Sequence, residues 1–195
     1  MLAIFKREFK SYFQNVIGWL FVAALLAVYG LYFYVYNLKN GYPYISYDLN
    51  GIGFIMMIAV PILTMRSLSD EKKTKTDQLM LTSPVSVGRI VAGKYLAMAA
   101  VYTIDIALFA LSPLVLSIYG KVALSEAYVA LFGYWLYGLS CIAVGLFISS
   151  ISESVIISAI LTFAALFLSY MMQSITGLIS SSGNLLTKVL NCFDL

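Results

Sequence analysis

Residues 16–36 read VIGWLFVAALLAVYGLYFYVY, twenty-one consecutive positions without a charged side chain. A helix rising 1.5 Å per residue needs about 20 mostly apolar residues to cross a hydrocarbon core of roughly 30 Å. The stretch predicts a transmembrane helix, and the rest of the composition follows it. The 195 residues are 62% hydrophobic and only 11% charged, whereas soluble domains carry about 25% charged residues. Four further segments approach the length of a span, at 51–65, 95–118, 127–149 and 155–174. The expected fold is all-α, a polytopic transmembrane helical bundle of five spans. The second span is the weakest: it is short and contains Pro61, so it needs flanking residues, local thinning or protein neighbours to cross. Tyr and Phe crowd 30–47, as in an aromatic belt at the headgroups.

Basic residues are retained preferentially on the cytoplasmic side. With the N-terminus inside, nine of the twelve fall in cytoplasmic segments: Lys6, Arg7, Lys10, Arg66, Lys72, Lys73, Lys75, Arg89 and Lys94. Lys39, Lys121 and Lys188 then face outward. Lys6, Arg7 and Lys10 imitate the basic region of a signal peptide, but the apolar stretch behind them is too long and lacks an A-x-A-like site, which favours an uncleaved span. Leu2, Phe5, Phe9, Tyr12, Phe13 and Val16 recur at helical spacing, with the basic residues largely off that face. This pattern predicts an interfacial helix, either a membrane anchor or one that also touches a cytoplasmic partner.

Chemistry is bounded by absences. No histidine is present, which excludes His-based triads, H-E-x-x-H zinc sites and imidazole relays. Cys141 and Cys192 lie far apart and suggest neither a disulfide framework nor a C-x-x-C site. No metal site, catalytic group or nucleic-acid surface is expected. Gly88 to Lys94 matches G-x-x-x-x-G-K, but Tyr95 follows where a small hydroxyl must hold Mg²⁺, and a span begins there instead of an α/β domain.

The one long charged connection, 66–94, holds six basic and three acidic residues. Ser69-Asp70-Glu71 supplies a cap and negative charge for a helix start, Glu71 and Lys75 form an i,i+4 pair, and Thr82-Ser83-Pro84 stops the helix. Leu79, Met80 and Leu81 leave an apolar tip, which either docks another protein or rests on the chain's own inner surface.

The order of these features resembles the permease subunits of ABC-2 type transporters, especially those related to gliding-motility and nitrous-oxide-reductase accessory permeases. The resemblance rests on the N-terminal helix, the run Asp70 to Ser86, residues 89–96 and Gly145-Leu-Phe-Ile-Ser149-Ser150. The family's loop is similar to G-T-x-E-L-L-L-T-S-P: Thr76, Leu79, Leu81, Thr82, Ser83 and Pro84 match, while Lys75 and Gln78 replace the usual Gly and Glu. The resemblance implies one permease domain: an interfacial helix at 1–15, spans one and two at 16–65, a cytoplasmic coupling loop at 66–94, spans three to five at 95–174, and an extracytoplasmic segment at 175–195. It further implies that the loop helix docks on a separate ATP-binding cassette ATPase through Glu71, Lys72, Thr76, Gln78, Leu79, Leu81 and Pro84. The chain itself then holds no cofactor, while ATP and Mg sit on the partner ATPase. The resemblance implies, too, that two permease chains work together in the plasma (cytoplasmic) membrane and that transport is export. Such permeases usually have six spans; 175–195, with Leu185, Leu186, Val189, Leu190 and Phe193 at helical spacing, resembles the outer segment without the last one, as in a truncated, split or naturally shortened permease. A non-transporting structural or substrate-binding membrane subunit is the alternative. An intramembrane enzyme is disfavoured, because the acids are not paired within the spans.

Within the spans, Asp105 stands out as an acid whose ionised burial costs about 2.5–3.5 kcal/mol. It belongs either to a candidate translocation path, with Tyr134 and Tyr137, or to a structural hydrogen bond with hydroxyls such as Tyr102; the two tyrosines, with Trp135, are either path-lining residues or, the commoner role, packing and interfacial groups. Pro113 predicts a kink in span three. Gly138, Cys141, Gly145, Ser149 and Ser152 bring small residues onto one face of span four, whose packing partner the sequence leaves open.

Overall fold

A computed structural model describes residues 2–42, 44–73, 86–119 and 122–179, and among them it forms helices and no strand. Among the described residues five helices are long and apolar enough to cross a membrane: Val16–Lys39, Ser46–Thr64, Val87–Ile118, Leu124–Ile151 and Val155–Met172. These are spans one to five of a multi-pass bundle. The expectation of a shortened outer segment falls largely on 180–195, outside the described residues.

The bounds differ from those read in the sequence, and each difference has a cause. Span two starts at Ser46 rather than Gly51, so Asp48 lies in its first turn, fully buried. The polar cost of that extra turn is offset by Asn37, whose amide donates to the Asp48 carboxylate. Asn37 is itself placed by a π-helical turn, Tyr34–Lys39, which widens the end of span one. Asp105 is therefore not the one buried acid of the bundle.

Span three begins at Val87, eight residues before the expected start. Lys94, expected to mark the inner boundary of this span, sits inside the helix with 2% of its surface exposed. The Pro113 break is present. The helix ends at Phe109 and resumes as Ser112–Tyr119. Proline leaves the carbonyl four residues back without its N–H donor. That carbonyl is Phe109 O, and Ser112 Oγ donates to it at 2.7 Å. With its proton so used, Ser112 accepts from Tyr29 of span one, whose ring stacks on Phe109 at 4.1 Å.

Span two is the core helix. Eleven of its nineteen residues are buried, and it packs against spans one, four and five. Those neighbours are what let a short segment with an internal proline stay in the bundle. Two glycines set the approach of span four: a Cβ at Gly145 would stand 2.5 Å from Thr64 Oγ1 of span two, and one at Gly138 would overlap the Tyr102 ring of span three. The small-residue face of span four thus meets spans two and three. Only a missing side chain allows helix axes to come this close.

The N-terminal helix, Leu2–Gln14, has the expected length and packs along the first part of span three. Its aromatic side chains form a ladder: Phe5 on Phe9 at 5.8 Å, Phe9 on Phe13 at 5.0 Å, and Phe13 on Trp19 of span one at 5.4 Å.

Candidate functional site

Consecutive spans alternate in direction, because each crossing leaves the chain on the side from which the next must start. Span one starts, span two ends, span three starts, span four ends and span five starts at one end of the bundle, which also carries the 66–94 connection. The root of that connection is clasped to span four. Ser149 Oγ accepts from the backbone N–H of Leu68 and of Ser69, each at 3.2 Å. The Ser69 hydroxyl stands 3.1 Å from both the carbonyl and the hydroxyl of Ser149. Both serines are fully buried, so these bonds face no competition from water; each contributes about 0.5–1.5 kcal/mol net. Ser69 opens a short helix, Ser69–Lys73. One turn later the Lys72 ammonium donates to the Ser150 carbonyl, where the negative end of span four favours a cation.

A second tie joins the same end. Lys94 Nζ donates to the Ser67 carbonyl at 2.8 Å and lies 3.5 Å from Glu8 of the N-terminal helix, with side-chain exposures of 3% and 16%. Glu8 also pairs with Arg7 at 2.7 Å. One ammonium thus links the N-terminal helix, the start of the connection and span three.

Of the residues expected to meet an ATPase, Glu71 lies in the short helix and Lys72 turns toward Ser150; Thr76, Gln78, Leu79, Leu81 and Pro84 lie outside the described residues. The sequence marked Ser149 as a small residue on span four and Ser69 as a helix cap, without pairing them. Glu8 was missed; the signal that could have found it is its place as a lone acid among Lys6, Arg7 and Lys10.

At the opposite end, Tyr134 and Tyr137 come together, ring centroids 6.0 Å apart. With Ser46, Asn50, Gly53 and Tyr170 they line an open cavity of about 310 Å³ between spans two, four and five. Among the described residues its lining is aromatic and neutral polar, which suits molecules recognised by aromatic surface and neutral hydrogen bonds.

Asp105 does not join that cavity. It is fully buried, and neither carboxyl oxygen has a hydrogen-bond partner among the described residues. The expected bond from Tyr102 is not formed: the Tyr102 hydroxyl donates instead to the Tyr134 carbonyl at 2.7 Å. Tyr102 reaches that carbonyl because Gly138, one turn further along span four, leaves room for its ring.

Over residues 7–193 the chain matches the model of a family described as ABC-2 family transporter protein. No curated protein and no solved structure matches.

Proposed function

The chain belongs to the ABC-2 family of transporter membrane proteins, and from that premise we propose that it is the permease subunit of an exporter driven by a separate ATP-binding cassette ATPase. Membrane subunits of this family normally carry no ATPase site of their own. ATP and Mg are accordingly assigned to the partner, and residues 71–84 to the element that receives its motion. The N-terminus and the 66–94 connection then face the cytoplasm, in the plasma membrane, and a second permease chain completes the path. By the resemblance of the loop run, the subfamily is that of gliding-motility and nitrous-oxide-reductase accessory permeases.

The observation that carries this reading is the Ser69–Ser149 clasp. A connection that only joined two spans would need no buried bonds to a third. Here a displacement of the loop root pulls on the end of span four, which packs on spans two, three and five. Span four also lines the tyrosine cavity at its other end. Rigid-body movement of packed helices can carry a local push across a bilayer in this way. The test is co-purification of the encoded ATPase with the chain and with a Leu79→Asp/Leu81→Asp variant. Retention by the first and loss by the second supports the assignment; equal retention rejects the loop as the docking element.

A further inference from the structure

Between the N-terminal helix and the start of the 66–94 connection lies a polar cleft of about 530 Å³, lined by Arg7, Glu8, Lys10, Arg66, Asp70 and Lys94 together with uncharged donors such as Ser11, Gln14 and Asn15. The volume falls in the range of small-molecule sites, about 300–1,000 Å³. Four cations and two acids give it a formal charge of 4 − 2 = +2. The charges are not equivalent. Glu8 is held by Arg7 and Lys94, and Asp70 has a partner of its own. Lys10 and Arg66 are exposed, and neither has a hydrogen-bond or ionic partner among the described residues.

The level of the cleft relative to a bilayer follows from its walls. Ile17, in the first turn of span one, lines it, as does Ser67, just past the end of span two. Both lie at ends of spans, which sets the cleft at the level where hydrocarbon is expected to give way to water whichever way the chain is oriented. Beside it the Phe5–Phe9–Phe13 ladder ends on Trp19, 60% exposed at the base of span one, the position where tryptophan settles among headgroups. Two unpartnered cations at that depth, one on a helix and one on the adjoining connection, meet the requirement of a phosphodiester, which accepts from both and stays anchored by its acyl chains.

We propose that this cleft binds the phosphate of an anionic phospholipid, with Lys10 and Arg66 as its cationic jaws. The site would tie the N-terminal helix to the root of the connection through a lipid. It stands whether or not the chain exports, and whether or not residues 71–84 dock an ATPase.

The experiment melts the full chain in neutral detergent with added dioleoylphosphatidylglycerol, dioleoylphosphatidylcholine or glycerol 3-phosphate. Stabilisation depends on ligand concentration and so yields an apparent affinity. Phosphatidylglycerol is expected to raise the midpoint and phosphatidylcholine not to. Lys10→Gln and Arg66→Gln should each weaken the response roughly fivefold; Lys10→Arg should keep it, as should Lys39→Gln at the far end of the bundle. Both replaced side chains are exposed, so the midpoint without lipid is expected to hold and reports on folding independently. Equal stabilisation by phosphatidylcholine, or an undiminished response in the Lys10→Gln/Arg66→Gln variant, overturns the site. Glycerol 3-phosphate binding as tightly as the lipid overturns the lipid as the source of the phosphate. A double variant that keeps its lipid response and instead loses the ATPase in co-purification reassigns the cleft to that partner, and the proposal falls.

Discussion

Replacing Glu8 by Gln removes the carboxylate that faces the Lys94 ammonium at 3.5 Å. At an effective dielectric constant of about 20, the Coulomb attraction at this separation is about 5 kcal/mol. Part of it is returned. The glutamine keeps an acceptor oxygen, the desolvation of a carboxylate with 16% of its side chain exposed is relieved, and Lys94 retains the Ser67 carbonyl. The net loss expected is about 2–3 kcal/mol, below the roughly 3–5 kcal/mol of a fully buried pair because Glu8 keeps contact with water. For a chain of 195 residues, at about 2–4 °C per kcal/mol, the midpoint should fall by roughly 4–12 °C. Lys94→Met removes the buried ammonium together with its desolvation cost and leaves Glu8 on Arg7 at 2.7 Å, so its effect should be smaller, about 1 kcal/mol for the lost Ser67 bond. The double variant should be more stable than Glu8→Gln alone. Thermal unfolding in detergent, followed by circular dichroism, reads all three. A Lys94→Met protein that falls as far as Glu8→Gln, or a double variant showing the sum of the two losses, would refute the idea that this pair ties the N-terminal helix to span three.

Gly145→Leu should open the contact between spans two and four, because its Cβ alone meets Thr64 Oγ1 at 2.5 Å; overpacking of this kind costs about 1–3 kcal/mol, visible as a lower midpoint in the same melt. Ser149→Ala deprives the N–H groups of Leu68 and Ser69 of their acceptor. It should cost about 1–3 kcal/mol, and ATP-dependent efflux in vesicles should drop while ATPase co-purification persists; loss of both together would contradict the clasp as a transmission element. Asp105→Asn should leave the midpoint unchanged or raised, because no described group bonds its carboxyl and a neutral amide is easier to bury than a carboxylate. A marked fall would show that the acid itself holds something.

Legibility in the sequence followed the range of the interactions involved. Span one was plain because its signal is local: twenty-one uncharged residues need no partner to be understood. The beginning of span two was hidden because Asp48 counts against a span until Asn37, on a different helix, is known to hold it. Lys94 looked like a boundary marker for the same reason. Its carboxylate partner is Glu8, in another element, and hydropathy along the chain cannot register a pair formed only in the fold. Periodicity exposed the small-residue face of span four, since that repeat lies within one helix. What it could not supply was the identity of the opposing groups, Thr64, Tyr102 and Ser69, which come from three other segments. Tyr134 and Tyr137 share a helix face one turn apart, so their meeting in one cavity was within reach of spacing arguments. The exclusion of Asp105 from that cavity was not, because it depends on how spans three and four are turned about their axes.

The claim on which the account turns is that residues 71–84 lie on the cytoplasmic side against the ATPase, and a single introduced cysteine tests it. Leu79→Cys, in a chain with Cys141 and Cys192 replaced by Ala and Ser, is exposed to a membrane-impermeant maleimide in intact cells and, separately, to a thiol–thiol cross-linker in inside-out vesicles holding the ATPase. The account predicts no labelling in intact cells and a cross-linked permease–ATPase product in the vesicles. Labelling in intact cells would contradict it.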